Sequence, residues 1–188
     1  MSFTTGFSSL NAERVNEMDF RTLFKISYGM YIVSSKKGDK LNAQLSNTVV
    51  QISPEPATML ISISKNNFTH ECISESGVFT ISIISDQCDM KEIGPFGFRT
   101  GRDYDKFASC SYELGKNGAP FIRHKMCGYV ECEVVNRVDC CTHTVFIGRI
   151  TEAEILDPDL QPMTYDFYHK ELKGKLSKNA THFHAEEK

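Results

Sequence analysis

No C-x-x-C pair occurs in this chain of 188 residues, although it holds seven cysteines: Cys72, Cys88, Cys110, Cys127, Cys132, Cys140 and Cys141. That spacing leaves zinc ribbons, rubredoxin-type iron sites and thioredoxin-like redox motifs without support, and no metal site is expected. An odd count with no secretory leader fits reduced thiols, most of them buried as small hydrophobes, with Cys140-Cys141 at a turn as the exception. No apolar run approaches the ~18 residues of a membrane span, and the opening MSFTTGFSSLNAERVNEMDF has no charged segment leading into an apolar one. A cytoplasmic protein without membrane contact is expected. Long runs of like charge are absent too, and a net charge of -3 gives no electrostatic footprint for nucleic acid. There is no G-x-G-x-x-G after a strand and no G-x-x-x-x-G-K-[ST], which excludes the Rossmann and P-loop nucleotide sites. No G-x-S-x-G elbow or H-E-x-x-H pair is found either. Any phosphate site must be assembled from other loops.

What is present is an ordinary globular composition, 40% hydrophobic and 24% charged, enough to bury one full core. Residues 1–17 have no clear period and read as an N-terminal arm, 18–175 as one domain, and 176–188 as a C-terminal tail. A short helix is expected behind Asp19, with Phe20, Leu23 and Phe24 on one face that docks onto a sheet. Tyr28 to Ser35 reads as a strand and Gly38-Asp39 as a hairpin turn; Gly29 inside the strand pattern signals a bulge or a close approach to the backbone. Asn42 to Ser53 is expected as one strand whose central amides and hydroxyls face solvent or a polar ligand. Pro54 and Pro56 force a corner into the strand Thr58 to Ser64.

The knot Ser64-Lys65-Asn66-Asn67-Phe68-Thr69 then opens a helix that Gly77 closes. Free N–H groups at a helix start, flanked by hydroxyls, amides and a lysine, form a natural seat for an anion, here a phosphate. Ordinary helix capping accounts for the same residues. Val78 to Ile84 is a buried strand, and Ser85 or Asp86 caps a short helix through Glu92. The Gly/Pro-rich stretch GPFGFRTGRDYDKF reads as a long functional loop bearing Arg99, Arg102 and Lys106. Residues 108–126 read as an irregular strand and loop. Cys127 to Val138 and His143 to Leu156 form a long hairpin joined through Asp139–Thr142. At least six strands against three short helices give a mainly β fold, an antiparallel closed or half-closed barrel.

Five motifs in order, Tyr28-Gly-Met-Tyr-Ile-Val, Leu41-Asn-Ala-Gln-Leu-Ser-Asn-Thr-Val-Val-Gln-Ile-Ser-Pro-Glu-Pro, Ser64-Lys-Asn-Asn-Phe-Thr-His, Phe96-Gly-Phe-Arg-Thr-Gly-Arg-Asp and Thr142-His-Thr-Val-Phe-Ile-Gly-Arg, resemble the flavin reductase-like family. Within it they are most similar to the NAD(P)H:FMN oxidoreductase module of high-molecular-weight rubredoxins. The resemblance implies an antiparallel FMN-binding split β-barrel with a few short peripheral helices, working as a homodimer. It implies that FMN is held by Asn47 and Thr48 along the ring and ribityl chain, by Ser64, Lys65, Asn67 and Thr69 at the phosphate, by Arg99, Thr100 and Arg102 from the long loop, and by Tyr28 and Tyr31 at the border. His143 matches a position near the nicotinamide side and is the candidate catalytic residue; its preceding pair is Cys141-Thr142, where the family carries an acid. NADH or NADPH is the implied co-substrate. The acceptor is then a separate soluble species: free flavin, a rubredoxin-like protein or a ferric complex. Two rival readings are an FMN-binding electron carrier that never meets NAD(P)H and a non-enzymatic β-barrel for another phosphate-bearing ligand.

Overall fold

A computed structural model of the chain describes residues 19–175, so the expected arm and tail lie outside the described residues. Two compact units are distinguished, contributing residues 19–26 and 27–175 to that span. In the first, the expected helix is a 3-10 helix, Phe20–Lys25, whose N-cap Asp19 accepts from the Arg21 N–H at 3.0 Å. Leu23 is exposed, and the Phe20 and Phe24 side chains lie outside the description.

The second unit is built on a seven-stranded antiparallel sheet. Its strands are β1 (Tyr31–Lys37), β2 (Lys40–Ser46), β3 (Val49–Pro54), β4 (Ala57–Ser64), β5 (Val78–Ile84), β8 (Met126–Cys140) and β9 (His143–Ile155). A small hairpin of β6 (Tyr112–Leu114) and β7 (Pro120–Ile122) forms a separate ladder, with β7 held against β5 by Ile122 N donating to Ser82 Oγ at 3.0 Å. Three helices complete the unit: α1 (Phe68–Ser76), α2 (Met90–Phe98) and α3 (Tyr165–Lys170). Gly38-Asp39 makes the β1–β2 turn with Gly38 at φ +55, and Gly77 ends α1 in the left-handed region, as their residue types dictate. A side chain at Gly29 would collide with the Tyr31 ring, which is the close approach the strand glycine signalled.

Sheet order is β2-β1-β5-β8-β9-β4-β3, so the two edge strands are neighbours in sequence. The expected single strand over Asn42 to Ser53 is therefore two strands on opposite edges, broken at Asn47-Thr48. Three peptide steps separate Ser46 from Val49, a span of at most ~11 Å. The sheet must roll until its edges nearly meet. The β2 and β3 edges share no ladder; Ser62 N donating to Thr48 O at 3.3 Å carries the β3–β4 pairing one residue further, into the link between the two edges. The result is a barrel left open along one line. Register shifts in the β8–β9 pair at Glu131/Cys132 and Val134/Asn136 bend the longest hairpin around it.

Alternation along the strands fills two cores. Val33, Ile61, Ile63, Phe79, Ile81 and Phe146 pack inside the barrel, with Ile73 of α1 closing one end. On the outer side of β1, β2 and β5, Ile32, Ala43 and Ile84 pack under Ile93 and Phe96 of α2 and Tyr168 of α3. The helix expected to end at Glu92 instead begins at Met90 and runs through Pro95 to Phe98. It is started by Asp89, not Ser85 or Asp86: the Asp89 carboxylate accepts from Lys91 N and Glu92 N while Glu92 returns a bond to Asp89 N. Burial of Ile93 and Phe96 outweighs the propensity cost of Gly94 and Pro95.

Candidate functional site

A cavity of about 560 Å³ lies along the open seam. β2 supplies Asn42, Gln44, Leu45 and Ser46, the seam Asn47, and β4 Ser62 and Ser64. The start of α1 adds Asn66, Asn67, Phe68 and Thr69; the end of α2 and the following turn add Phe96 to Gly101; Met30, Lys106, Tyr165, Tyr168 and Lys175 complete the wall. Size and mixed lining suit a medium-sized ligand with both flat apolar and polar parts.

The α1 end of the cavity is prepared for an anion. Asn67, the N-cap, makes no side-chain bond to the first helical N–H groups, and its amide donates to Gln44 Oε1 at 3.1 Å. The acid in that first turn, Glu71, is covered by Arg102 and Lys37, which hold its carboxyl below the usual range. Thr69 is buried and accepts from Asn42 Nδ2 at 2.7 Å. This leaves Asn42 Oδ1 buried without a hydrogen-bond partner among the described residues, and a side chain at Gly101 would strike that oxygen. Glycine here keeps the loop backbone against the amide.

Lys106, noted in the sequence only as one of the loop's three cations and not assigned to the site, lines the cavity. It is only 6% exposed, donates to the carbonyls of Ala43 at 2.7 Å and Phe96 at 3.4 Å, and pairs with no carboxylate among the described residues. Burial pushes its ammonium down to about 8. A cation kept in a cavity wall at that cost is matched to an anionic ligand. Nothing in the local pattern Asp105-Lys106-Phe107 distinguishes it from a solvated loop lysine.

The structure brings Asn47, Ser64, Asn67, Thr69, Arg99 and Thr100 together in this wall. Other candidates stand around it. Thr48 occupies the seam and donates to Asn47 Oδ1 at 3.2 Å. Tyr28 meets Tyr165 edge-on at 6.0 Å, behind the lining, while Tyr31 packs against the barrel core, where burial raises its hydroxyl pKa. Arg102 pairs with Glu71 and stacks over Phe68, 5.3 Å from the ring centroid. Lys65 turns away to Asp139, with Nζ 3.2 Å from Oδ2. His143 pairs in register with Ser64; its Nδ1 is 2.8 Å from Thr142 Oγ1, and its Nε2 is buried without a hydrogen-bond partner among the described residues. Across the turn, Asp139 faces Thr144 and accepts from its Oγ1 at 2.7 Å, so it does not replace the acid missing before His143.

Residues 23–172 match the model of the flavin reductase like domain. The chain is 41% identical to the high molecular weight rubredoxin of Moorella thermoacetica over 166 residues, covering 88% of this chain and 72% of the relative. It is 38% identical to the ferric-chelate reductase (NAD(P)H) of Archaeoglobus fulgidus, covering 87% and 96%. Among solved structures, an NADH:FAD oxidoreductase of Streptomyces globisporus superposes with a TM-score of 0.70 at 19% identity, covering 87% of this chain and 93% of that one, a likeness of fold.

Proposed function

Because the chain belongs to the flavin reductase-like family, we propose that it is an FMN-dependent oxidoreductase, with 18–175 as its working domain. It draws electrons from NADH or NADPH and delivers them to a soluble acceptor such as free flavin, a rubredoxin-like protein or a ferric complex. The observation that carries this reading is the seam cavity with a buried Lys106 in its wall that pairs with no carboxylate among the described residues. A cation held there with only carbonyls for partners is matched to a ligand that brings negative charge into the cavity.

FMN, when bound, supplies the hydride and electron chemistry itself. The chain's part is binding and orientation. The α1 start, with Ser64, Asn67 and Thr69, would seat the phosphate, and Asn47 would meet polar groups of the flavin. Lys106 would supply positive charge, and Arg99 and Thr100 would close the loop side. Thr48, Tyr28, Tyr31 and Arg102 would support that wall from behind, and His143 would stand on the donor side, oriented by Thr142. Val50, Leu60 and Ile147 lie in one cross-strand row on the outer face of β3, β4 and β9, with Val50 exposed. We assign this face to a second copy of the chain. All seven cysteines are free thiols, which supports a reducing, cytoplasmic location. Among the described residues no helix is long and apolar enough to cross a membrane.

The test is anaerobic mixing of the FMN-loaded protein with NADH and, separately, with NADPH, following the flavin band near ~450 nm. Bleaching with at least one donor is expected. A band that both donors leave intact reduces the protein to an electron carrier, and a preparation that cannot be loaded with FMN removes the cofactor assignment altogether.

A further inference from the structure

The loop that opens α1 and the tip of the β8–β9 hairpin are tied together by an unusual number of bonds. Lys65 N donates to Thr142 O at 3.0 Å, so the two main chains are fixed side by side. Lys65 Nζ lies 3.2 Å from Asp139 Oδ2, and the other carboxylate oxygen accepts from Thr144 Oγ1 at 2.7 Å. Because the Thr144 proton is spent on Asp139, the contact of 2.8 Å between Thr144 Oγ1 and His70 Nε2 requires the imidazole to donate. His70 belongs to α1, and its ring rests against Phe146. Asp139 thus receives the end of a chain running from α1 through Thr144, and the Lys65 ammonium as well.

Ser64, Asn66 and Asn67, the neighbours of Lys65, all line the cavity, yet the Lys65 side chain does not. We propose that Asp139 sets how tightly this site holds a phosphate-bearing ligand, by competing with the phosphate for Lys65; the proposal rests on the FMN reading above. The Lys65 and Asp139 side chains are 38% and 68% exposed, so their pairing is weak and exchangeable. A lysine ammonium on its flexible four-carbon stem can swing from one anion to another. The Thr144 bond and the Lys65 ammonium hold the Asp139 carboxyl below its ordinary range, which keeps it charged at neutral pH. Its charge therefore opposes a nearby phosphate dianion in two ways of the same sign: it diverts a cation and it repels the anion directly. Asp139 has no part in the chemistry on this account. It adjusts phosphate affinity, and with it the ease with which the cofactor is released.

The test compares Kd values for FMN and for riboflavin, which lacks the phosphate, in the wild type, Asp139→Asn, Lys65→Met and the double variant. Asparagine keeps an oxygen for Thr144 and removes only the charge. FMN should bind about three- to tenfold tighter to Asp139→Asn at low salt, with the gain shrinking as salt is added. Riboflavin affinity should be unchanged, and in the Lys65→Met background the gain should largely vanish. An FMN affinity unchanged or weakened by Asp139→Asn, or an equal gain for riboflavin, overturns the role of Asp139 while leaving FMN binding intact. A wild type that binds neither flavin overturns the cofactor reading, and this inference with it.

Discussion

Lys106 is the residue on which the site's electrostatics turn. Its ammonium sits at about 8 because burial removes water and only carbonyls replace it, whereas the unfolded chain titrates near 10.5. Between those values the unfolded state holds more protons than the folded one, so stability should rise with pH across that window and be insensitive to this group below it. Binding has the opposite slope. An anion beside Lys106 favours the charged form, so FMN binding should take up a proton above about pH 8 and weaken as pH rises. Lys106→Met should abolish this slope and weaken FMN binding by about tenfold or more, the order expected for a charge-assisted contact. The apo protein's melting temperature should hold or rise, because no charge remains to be buried. Flavin fluorescence quenching across pH 7 to ~10 reads the slope. A variant that keeps both affinity and slope would remove Lys106 from the site.

At the scale of elements, α2 fixes the far wall of the cavity, since its last turn hands the chain to Arg99, Thr100 and Gly101. The reciprocal bonds between Asp89 and Glu92 start it, and Glu92 also holds Lys125 at 3.0 Å. Asp89→Ala should weaken the start of α2, read as a lower urea midpoint with an unchanged m-value. An unchanged midpoint would show that packing of Ile93 and Phe96 alone starts the helix. Local signals located several other boundaries, but not the β6–β7 hairpin within 108–126 or α3. The strand Val78 to Ile84, the β8–β9 hairpin and the α1 stop at Gly77 follow from alternation and from one glycine. α2 was less legible because Gly94 and Pro95 are loop signals locally, and only the core beneath Ile93 and Phe96 reverses them.

For the whole molecule, the outer face of β3 is the handle on assembly. Val50 and Ile52 are 51% and 47% exposed on the edge strand β3, where lysine should cost the monomer little. Sedimentation equilibrium should find wild-type dimers and Val50→Lys/Ile52→Lys monomers that retain the fold by circular dichroism. A monomeric wild type would return this face to solvent.

The sequence by itself determined the antiparallel β architecture, the turns, the α1 opening and the family, because each of these is written in spacing and residue type over short stretches. Tertiary structure alone decided that Asn42 to Ser53 divides between opposite sheet edges, since the Ser46-Asn47-Thr48 cluster at the break, without Gly or Pro, reads equally as a polar strand segment and becomes a break only when the sheet rolls. It also decided the fates of two lysines. Lys65 looked like the phosphate cation and is engaged by Asp139, while Lys106, given no role of its own on the loop, is buried in the cavity wall. The physical reason is that a side chain's charge is local, but its desolvation and its partners are set by strands and loops far away in sequence.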